Sequence, residues 1–355
     1  MDNETVKTNT LLLGTDESSI DKAAELIRSG GLVAFPTETV YGLGGDALSA
    51  DSSRKIYAAK GRPSDNPLIV HIADTASVYE LAAEVPDKAR ELMEAFWPGP
   101  LTIILPKKDI VPDETTGGLD TVAIRMPSHP ASLDLIRKSN TYIAAPSANT
   151  SGRPSPTTAQ HVQEDMTGRI DAIIDGGPVG IGIESTIIDL TTEIPAILRP
   201  GYITKSMLES IIGPVEIDKA ILQPDPSLRP RAPGMKYTHY APKGRLTIVE
   251  DKTSPGEVTA NVISKINSLI SESSGQKIAV LTTEEHAKDY NTENIILLGN
   301  TKNNTTVAAR LYAALRECDT IDAELIYSES ISRDEFGGAV MNRLLKAAGQ
   351  RVIYV

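Results

Sequence analysis

The chain has 355 residues, a length that predicts two domains or one large one. Hydrophobic residues make up 40% and charged residues 23%, which is ordinary for globular proteins and argues against a disordered, collagen-like or membrane-spanning chain. The single cysteine, Cys318, excludes an internal disulfide and a cysteine-based zinc cluster. The polar N-terminal stretch MDNETVKTNT does not resemble a signal peptide, so we expect a cytoplasmic protein.

The net charge of −12 is unevenly distributed. Residues 1–213 include 18 basic and 29 acidic residues, whereas residues 214–243 carry +2 and residues 244–355 carry −3. Affinity for phosphate comes mainly from Lys and Arg, so this balance disfavours non-specific binding of nucleic acid. A local basic pocket within an acidic chain would suit a small phosphorylated ligand better.

Strand and helix patterns alternate through the first two-thirds of the chain. A helix is predicted from Ser18 to the stop at Gly30, and others at 53–59, 86–95 and 130–138. Apolar runs predict strands at 32–35, 68–72, 101–105, 121–126, 141–145, 171–175, 185–190 and 196–199. This mixture predicts an α/β or α+β domain built on a sheet.

The stretch QPDPSLRPRAPGMKYTHYAPKG (223–244) holds five prolines and two glycines, so it cannot form a regular helix or a central strand. It is typical of a linker between domains. Beyond it, strands are predicted at 245–250, 277–282, 294–299, 324–329 and 352–355, with helices at about 256–271, 305–317 and 338–348 between them. We therefore expect a domain at 1–213, a Pro-rich linker at 214–243 and a parallel, Rossmann-like domain at 244–355.

The glycine-rich stretch PTETVYGLGGDA (36–47) contains G-x-G-x-x-A, but ordinary turn glycines explain that string better than a dinucleotide site. Thr37 and Thr39 follow a strand that ends at Pro36, which is where α/β proteins bind ligands. A surface turn is the alternative. No G-x-x-x-x-G-K-[ST] phosphate loop occurs in the sequence.

Basic and hydroxyl side chains follow several predicted strands and one helix. Lys60 and Arg62 suit a polyphosphate, although a solvated loop is the alternative. Arg125 lies in an apolar strand and needs an anionic partner, either an internal carboxylate or a ligand. The remaining candidates lie in neighbouring loops and strand ends: Asn66, His71, Ser147, Asn149, Ser151, Ser155, Ser185, Thr186 and Arg199.

Each of these signals is weak, since a strand histidine is usually packed in the core and a Pro/Ser-rich loop is usually solvated. Their convergence predicts a polyanion pocket that handles nucleotides by positioning and charge neutralisation.

The stretches PTETVYGLG, KGRPSDNPLIVHI, AIRMP, PSANTSG, ESTIID and LRPG occur in an order that closely resembles the YrdC-type threonylcarbamoyl-AMP synthases. The stretch PGMKYTHYAP is similar to the two-domain form of that family. The resemblance implies a twisted, open, mixed-sheet catalytic domain with a concave cavity. It also implies synthesis of L-threonylcarbamoyl-AMP and pyrophosphate from L-threonine, bicarbonate and ATP, the first step of threonylcarbamoyladenosine formation in tRNA.

The resemblance also assigns roles to individual residues. It implies catalytic roles for Lys60 and Arg62. A threonine site is implied at Thr39, His71, Arg125, Ala145 and Ser185. A nucleotide site is implied at Arg62, Asn66, Thr121, Ser147, Asn149, Ser155, Arg199 and Tyr237. Tyr237 would close over the nucleotide, with His239 and Tyr240 as its neighbours, so the linker would act as a lid. Mg²⁺ would be held by the phosphates rather than by a protein metal site.

As partners we expect the small-molecule substrates and a tRNA threonylcarbamoyl transferase complex that receives the product. We also expect a monomer with weak or no direct tRNA binding and no membrane association. Two alternatives stay open: a module that binds double-stranded RNA on a basic concave face, and a carbamoyl or acyl adenylate enzyme related to hydrogenase maturation. The single cysteine excludes the zinc-finger module that accompanies the latter proteins.

Overall fold

The computed structural model describes residues 8–222, 230–233, 240–273, 275–301, 303–332 and 334–355, which form two β-sheets with helices packed against them. The strands of the first sheet are β1 (Leu11–Leu13), β2 (Val33–Phe35), β3 (Gly42–Asp46), β4 (Ile69–His71), β5 (Leu101–Pro106), β6 (Thr121–Arg125), β7 (Ile143–Ala145), β8 (Ala172–Ile174), β9 (Thr186–Asp189), β10 (Ala196–Arg199) and β11 (Glu216–Ile217). Their order is β1-β8-β2-β3-β7-β4-β6-β5-β9-β10-β11, with parallel and antiparallel pairs mixed. The prediction of a mixed-sheet domain is confirmed.

The second sheet is entirely parallel, as the sequence predicted. Its strands are β12 (Arg245–Glu250), β13 (Ile278–Thr282), β14 (Ile295–Leu297), β15 (Leu325–Glu329) and β16 (Val352–Tyr354). They lie in the order β14-β13-β15-β12-β16. A parallel pair needs a long crossover between its strands, and helices supply most of these crossovers here.

The α-helices of the described residues are α1 (Glu17–Arg28), α2 (Ala50–Lys60), α3 (Val78–Leu81), α4 (Asp87–Phe96), α5 (Asp113–Thr116), α6 (Pro130–Ser139), α7 (Ala159–Met166), α8 (Lys205–Ile212), α9 (Lys219–Leu222), α10 (Ala260–Glu272), α11 (Asn304–Thr320) and α12 (Glu335–Ala347). Local chemistry explains their ends. Asp16 caps α1 by accepting from the Ser19 amide at 3.1 Å. The helix then buries Ile20, Ala23 and Ile27 on one face, at helical spacing. Within the described residues, no helix has the length and apolar character that crossing a membrane requires.

Every helix and strand predicted from the sequence is present, with ends that differ by a few residues. The prediction of turn glycines at 42–47 was wrong, because Gly42–Asp46 is strand β3. Glycine is needed there for packing. A Cβ on Gly44 would lie 2.7 Å from the Ile143 side chain and 2.8 Å from Phe35. An alternation of apolar and polar side chains cannot reveal a strand that consists mostly of glycine.

Alternation along the strands gives the first sheet two faces. One face, which includes Val70, Ile103 and Ile124, is covered mainly by α2, α4, α7 and α8. The other face is covered by α1 and α6 only over its first strands, where Phe35 and Ile143 pack. Beyond those helices, β4, β6, β5, β9 and β10 present a smaller apolar cluster on the same face. This half of the face is the concave region where the candidate site lies.

The Pro-rich segment lies partly over that region. Within it, β11 is a two-residue edge strand paired with β10, and α9 is a single turn. Ala232 is buried in the apolar cluster of the open face. Arg231 forms ion pairs with Asp189 (3.1 Å) and Asp218. The described part of this segment therefore covers the sheet instead of extending away from it.

The helices of the second sheet pack directly against loops of the first. α10 covers one face of the second sheet, and α11 and α12 cover the other. The core beside α11 and α12 also includes Val40, Ile183 and Tyr240. Gly182 permits this contact, because a Cβ there would lie 2.4 Å from the Ala308 carbonyl oxygen. Gly182 also has φ +84°, a left-handed backbone that glycine adopts without strain.

Candidate active site

A pocket opens on the uncovered half of the first sheet, where loops from several strands meet. Twelve of the residues singled out in the sequence line it: Thr37, Thr39, Lys60, Arg62, His71, Arg125, Ala145, Ser147, Asn149, Ser151, Arg199 and Tyr240. The residues from which a polyanion pocket was predicted therefore meet in a single cavity. Strand pairing explains part of the convergence, because β4 and β6 place His71 directly beside Arg125.

The loop after β2 is held in place by its own hydroxyl groups. The Thr37 hydroxyl donates to the Val40 carbonyl at 2.6 Å and accepts from the amides of Thr39 and Val40. The Thr39 hydroxyl lies 2.9 Å from it, and both threonines are buried. These bonds satisfy backbone groups that lie beyond the end of the strand, and they fix Thr39 on the pocket wall.

Lys60 ends α2 and is buried at the pocket. Its ammonium donates to the carbonyl oxygens of Ser147 and Asn149, which holds the loop after β7 against α2. Burial, and next the charge of Arg62, hold the pKa of Lys60 well below its usual range. Lys60 is thus both a candidate phosphate contact and the anchor of a second pocket loop.

Arg62 and Asn66 belong to the loop between α2 and β4. Arg62 Nη2 donates to the carbonyl oxygens of Asn66 (3.1 Å) and Pro67 (3.0 Å), so the guanidinium closes its own loop. Asn66 is buried, and neither polar atom of its side chain has a hydrogen-bond partner. An unsatisfied buried amide costs about 1–3 kcal/mol, so a bound ligand that pairs with Asn66 would remove that penalty.

Arg125 has the anionic partner that its apolar strand demanded. Its Nη2 lies 2.7 Å from Glu38 Oε1, and both side chains are largely buried. Between the alternatives of an internal carboxylate and a ligand, the structure supplies the internal carboxylate. A guanidinium carries five N–H donors, so Arg125 can pair with Glu38 and still bind a ligand in the pocket.

His71 is buried and uncharged at neutral pH. Burial, and then the charge of Arg125, lower the pKa of His71 to about 3. Its Nδ1 lies 3.0 Å from the Ile69 carbonyl, which can only accept, so Nδ1 carries the proton and Nε2 holds a lone pair. Phe35 packs against the ring edge to face at 5.8 Å. The imidazole can therefore accept a hydrogen bond from an ammonium or hydroxyl group.

The pKa of His71 predicts how stability depends on pH. The unfolded chain takes up this proton near pH 6.5 but the folded chain only near pH 3, so acid favours unfolding between those values. The free energy of unfolding should fall by up to about 1.4 kcal/mol per pH unit on this account. When urea unfolding is measured between pH 6.5 and 4.5, the free energy of unfolding of His71→Gln should depend less steeply on pH than that of wild type, by the equivalent of about one proton. An equal slope in the two proteins would contradict a neutral, buried His71.

Arg199 reaches the pocket because β10 contains a bulge. The pairing of β10 with β9 shifts between Ile197 and Arg199, which breaks the alternation and turns Arg199 toward the cavity. Arg199 Nε donates to the Ser185 carbonyl at 2.9 Å, and Nη2 donates to the Ser185 hydroxyl at 3.0 Å. Thr102 lies 2.7 Å from that hydroxyl. The guanidinium is therefore held on two sides.

Glu184 is a pocket residue that the sequence reasoning missed. Its carboxylate accepts from Ser155 Oγ at 2.7 Å, from the Tyr312 hydroxyl at 2.8 and 3.0 Å, and from Arg343 Nε at 3.1 Å. Tyr312 lies on α11 and Arg343 on α12, so the second sheet's helices reach the pocket. A signal did exist, since Arg343 interrupts an apolar helix face much as Arg125 interrupts an apolar strand.

Two family models together match most of the chain. One, described as telomere recombination, covers residues 25–201, and one described as threonylcarbamoyl-AMP synthase, C-terminal domain, covers residues 203–349. A threonylcarbamoyl-AMP synthase of Bacillus subtilis is 52% identical over 344 residues, which is 96% of each chain. The chain belongs to the threonylcarbamoyl-AMP synthase family. As a member of that family, it is an enzyme of the nucleotidyl-transfer type.

A solved structure shares the whole architecture of this synthase-family chain. The crystal structure of Pyrococcus abyssi Sua5 complexed with L-threonine matches it with a TM-score of 0.91 and 45% identity, over 98% of this chain and 100% of that one. A shorter relative, a threonylcarbamoyl-AMP synthase of Pseudomonas putida, is 36% identical over 183 residues, which is 51% of this chain and 97% of that protein. The family therefore includes proteins about half as long as this one.

Four residues implied by resemblance to the synthases lie off the pocket wall. Ser155 and Ser185 are buried behind it, bonded to Glu184 and Arg199. Asn66 is buried in the loop that Arg62 closes, and Thr121 begins β6, at the opposite end of the strand from Arg125. Tyr237 and His239 lie outside the described residues. Tyr240 lines the pocket and packs against Tyr312 with ring centroids 5.0 Å apart.

A protein-held metal does not fit this pocket. Glu38 and Glu184 both pair with arginines. Across the ranges that the structure describes, no cluster of three or more His, Cys, Asp or Glu side chains could hold a metal ion. Mg²⁺ is usually bound by one or two carboxylates together with phosphates and water.

Proposed function

We propose that this enzyme makes L-threonylcarbamoyl-AMP and pyrophosphate from L-threonine, bicarbonate and ATP. The carrying observation is the convergence of Arg125, Arg62, Arg199 and a neutral His71 on one pocket. Cationic groups and a hydrogen-bond acceptor in one cavity suit an amino acid beside a polyphosphate. The relative whose structure contains L-threonine supports the choice of amino acid.

On the threonine side, we assign the carboxylate of the substrate to Arg125. The substrate amine would donate to the lone pair of His71, and its hydroxyl would meet Thr39 on the neighbouring loop. Ala145 lies opposite Ile69 and offers backbone groups without a bulky side chain. Ser185 would act through Arg199, whose guanidinium it holds.

On the nucleotide side, Arg62 and Arg199 would neutralise phosphate charge, and Lys60, Ser147 and Asn149 would fix the loop that faces it. Asn66 would act through Arg62, which donates to its carbonyl oxygen. Ser155 would act through Glu184, and Thr121 would bound the far end of the site. Residues 214–243 would cover the bound nucleotide, which the contact between Arg199 Nη1 and the Pro233 carbonyl (3.4 Å) supports. Tyr237 is assigned to that cover from the sequence motif alone.

The proposed chemistry has two steps and no covalent enzyme intermediate. The threonine amine forms a C–N bond with the bicarbonate carbon, water leaves, and N-carboxythreonine results. An oxygen of the new N-carboxylate then attacks the α-phosphorus of ATP, and the bond from that phosphorus to pyrophosphate breaks. The protein's contribution is alignment and charge neutralisation at the phosphates. Mg²⁺, carried by the phosphates, would add to that neutralisation.

We further propose that the product serves tRNA modification next to the anticodon, through a separate transferase complex in the cytoplasm. The net charge of −11 on residues 1–213 supports weak or no direct tRNA binding by this domain. We propose that the enzyme acts as a monomer.

Pyrophosphate release from ATP tests the proposed function. Release is expected only when L-threonine and bicarbonate are both present, because the leaving group departs only after N-carboxythreonine forms. The assay runs with Mg²⁺, and omitting each substrate in turn is the control. Release that needs bicarbonate but a different amino acid would overturn the substrate. No release from folded protein in any combination would overturn the activity.

A further inference from the structure

We propose that Arg343 and Tyr312, on helices of the second sheet, are positioning residues for the active site. They hold Glu184 ionised in its place, and Glu184 in turn holds Ser155 by a hydrogen bond and acts on Arg199 through its charge, both on the nucleotide side. The second domain would thus complete the pocket rather than merely accompany it. This inference rests on the proposed function, since it assigns the affected groups to nucleotide binding.

The contacts converge on one buried carboxylate. Arg343 is only 1% exposed, and its Nη1 also donates to the Pro200 carbonyl at 2.5 Å, next to Arg199 in the chain. Its Nε contacts one oxygen of Glu184, while Ser155 contacts the other and Tyr312 contacts both. A single carboxylate therefore joins α11, α12 and two pocket loops.

The charges around Glu184 come from both domains. Burial acts to raise the pKa of Glu184, but Arg343, Arg199 and the Ser155 hydrogen bond outweigh it and lower the pKa to about 2. Tyr240 and Lys346 also face this group. Burial and the two arginines lower the pKa of Lys346 to about 7. Arg343 is the strongest of the attractive partners, so its loss should leave Glu184 with a much higher pKa.

Stability alone does not explain this arrangement. A buried ion pair often contributes no more stability than well-packed apolar residues of the same volume, because both charges lose their water. The pocket position of Glu184 supplies another reason to keep it charged. The half-length relative from Pseudomonas putida carries the same family name, so the chemistry itself does not demand a second domain. In the long form, that domain supports a specific side chain.

The experiment compares Arg343→Met with wild type at each pH, so that titration of the substrates cancels. Glu184 becomes protonated at low pH once Arg343 is gone, so Arg199 loses a neighbouring negative charge and Ser155 loses a charged hydrogen-bond acceptor. The ratio of kcat/KM for ATP, variant to wild type, should therefore fall by about tenfold more at pH 6 than at pH 8. Arg343→Lys keeps a charge and should restore most of the ratio. Arg310→Met, on the exposed face of α11, should match wild type at every pH.

Thermal stability should show the opposite pH dependence. An unpaired buried Glu184 is costly when ionised, so the Tm loss in Arg343→Met should be about 3 °C greater at pH 8 than at pH 5. Adding Glu184→Gln should abolish both pH effects. Lys346→Met, measured alongside, shows what titration of the lysine contributes to the two pH effects. Only the part of each effect that Glu184→Gln removes comes from the carboxylate.

The two readouts separate the possible failures. If wild type releases no pyrophosphate, the proposed function fails, and the Tm series alone decides whether Arg343 holds Glu184 ionised. If Arg343→Met lost the same kcat/KM and the same Tm at every pH, and Glu184→Gln did not change those losses, the positioning role would be overturned. Arg343 would then be a packing residue. Should Arg343→Met not fold, Tyr312→Phe removes one donor to Glu184 with little change in shape. It should then show the same two pH effects at smaller size. The absence of both effects would contradict the proposal.

Discussion

Replacing Arg62 by alanine is expected to lower kcat for pyrophosphate release by about 100- to 1,000-fold, the cost typical of removing one preorganised charge donor from a transition state. The guanidinium lies on the pocket wall, in a loop between α2 and β4 that it closes through two carbonyl contacts. Because the loop is short and partly exposed, its loss of two hydrogen bonds should change Tm by only a few degrees. The measurement is a steady-state pyrophosphate assay with thermal unfolding of both proteins.

Arg54 provides a matched control for Arg62. It lies on α2, two turns before the loop, and pairs with Glu114 at 2.7 Å on the surface. Exposed pairs of this kind are worth about 0–1 kcal/mol, so Arg54→Ala should keep wild-type kcat and nearly wild-type Tm. A kcat for Arg62→Ala within about threefold of wild type would exclude the proposed role at the phosphates.

The second large effect is expected at the proposed carboxylate contact. Arg125→Met alone would leave Glu38 buried without its partner, so the informative variant is Arg125→Met combined with Glu38→Gln. A hydrogen bond between charged groups contributes about 1.5–3 kcal/mol, so KM for L-threonine should rise by about 10- to 150-fold. KM for ATP should change little, because the arginine faces the other substrate.

Glu38→Gln alone is the control for this pair. It keeps the guanidinium in the pocket and removes only its internal partner, so KM for L-threonine should stay the same or fall. An unchanged KM for L-threonine in the double variant would show that Arg125 binds no substrate carboxylate. Arg125 would then serve Glu38 and the sheet alone.

Local patterns predicted the elements of this fold well, because apolar runs and helix stops depend on neighbouring residues. Strand β3 escaped because its glycines carry no alternating side chains, and Gly44 is explained by its contacts with Phe35 on the neighbouring strand and with Ile143, which lies far away in the sequence. The order of the strands is likewise set by pairings between distant segments, such as β5 with β9. No local pattern encodes those pairings.

The site was predictable where chemistry was concentrated in short motifs. Lys60 and Arg62 stood out by spacing, and Arg125 by its unfavourable surroundings, and all three line the pocket. Glu38 was missed as the partner of Arg125, and Glu184 was missed because its partner Arg343 lies 159 residues away. Arg199 was found by its motif, but the bulge that turns it inward is visible only in the pairing of two strands.

The link between Glu184 and Arg343 also constrains how such proteins can gain or lose parts during evolution. A gene that dropped the segment encoding α11 and α12 would leave Glu184 without Tyr312 and without Arg343, its strongest cationic partner. Selection would then favour a neutral residue at that position, and the exchange would have to accompany or precede the deletion. Conversely, in a short ancestor that later acquired the extra segment by fusion, the acid would have had only Ser155 and Arg199 beside it until the new arginine was in place. The two residues should therefore have entered the lineage together.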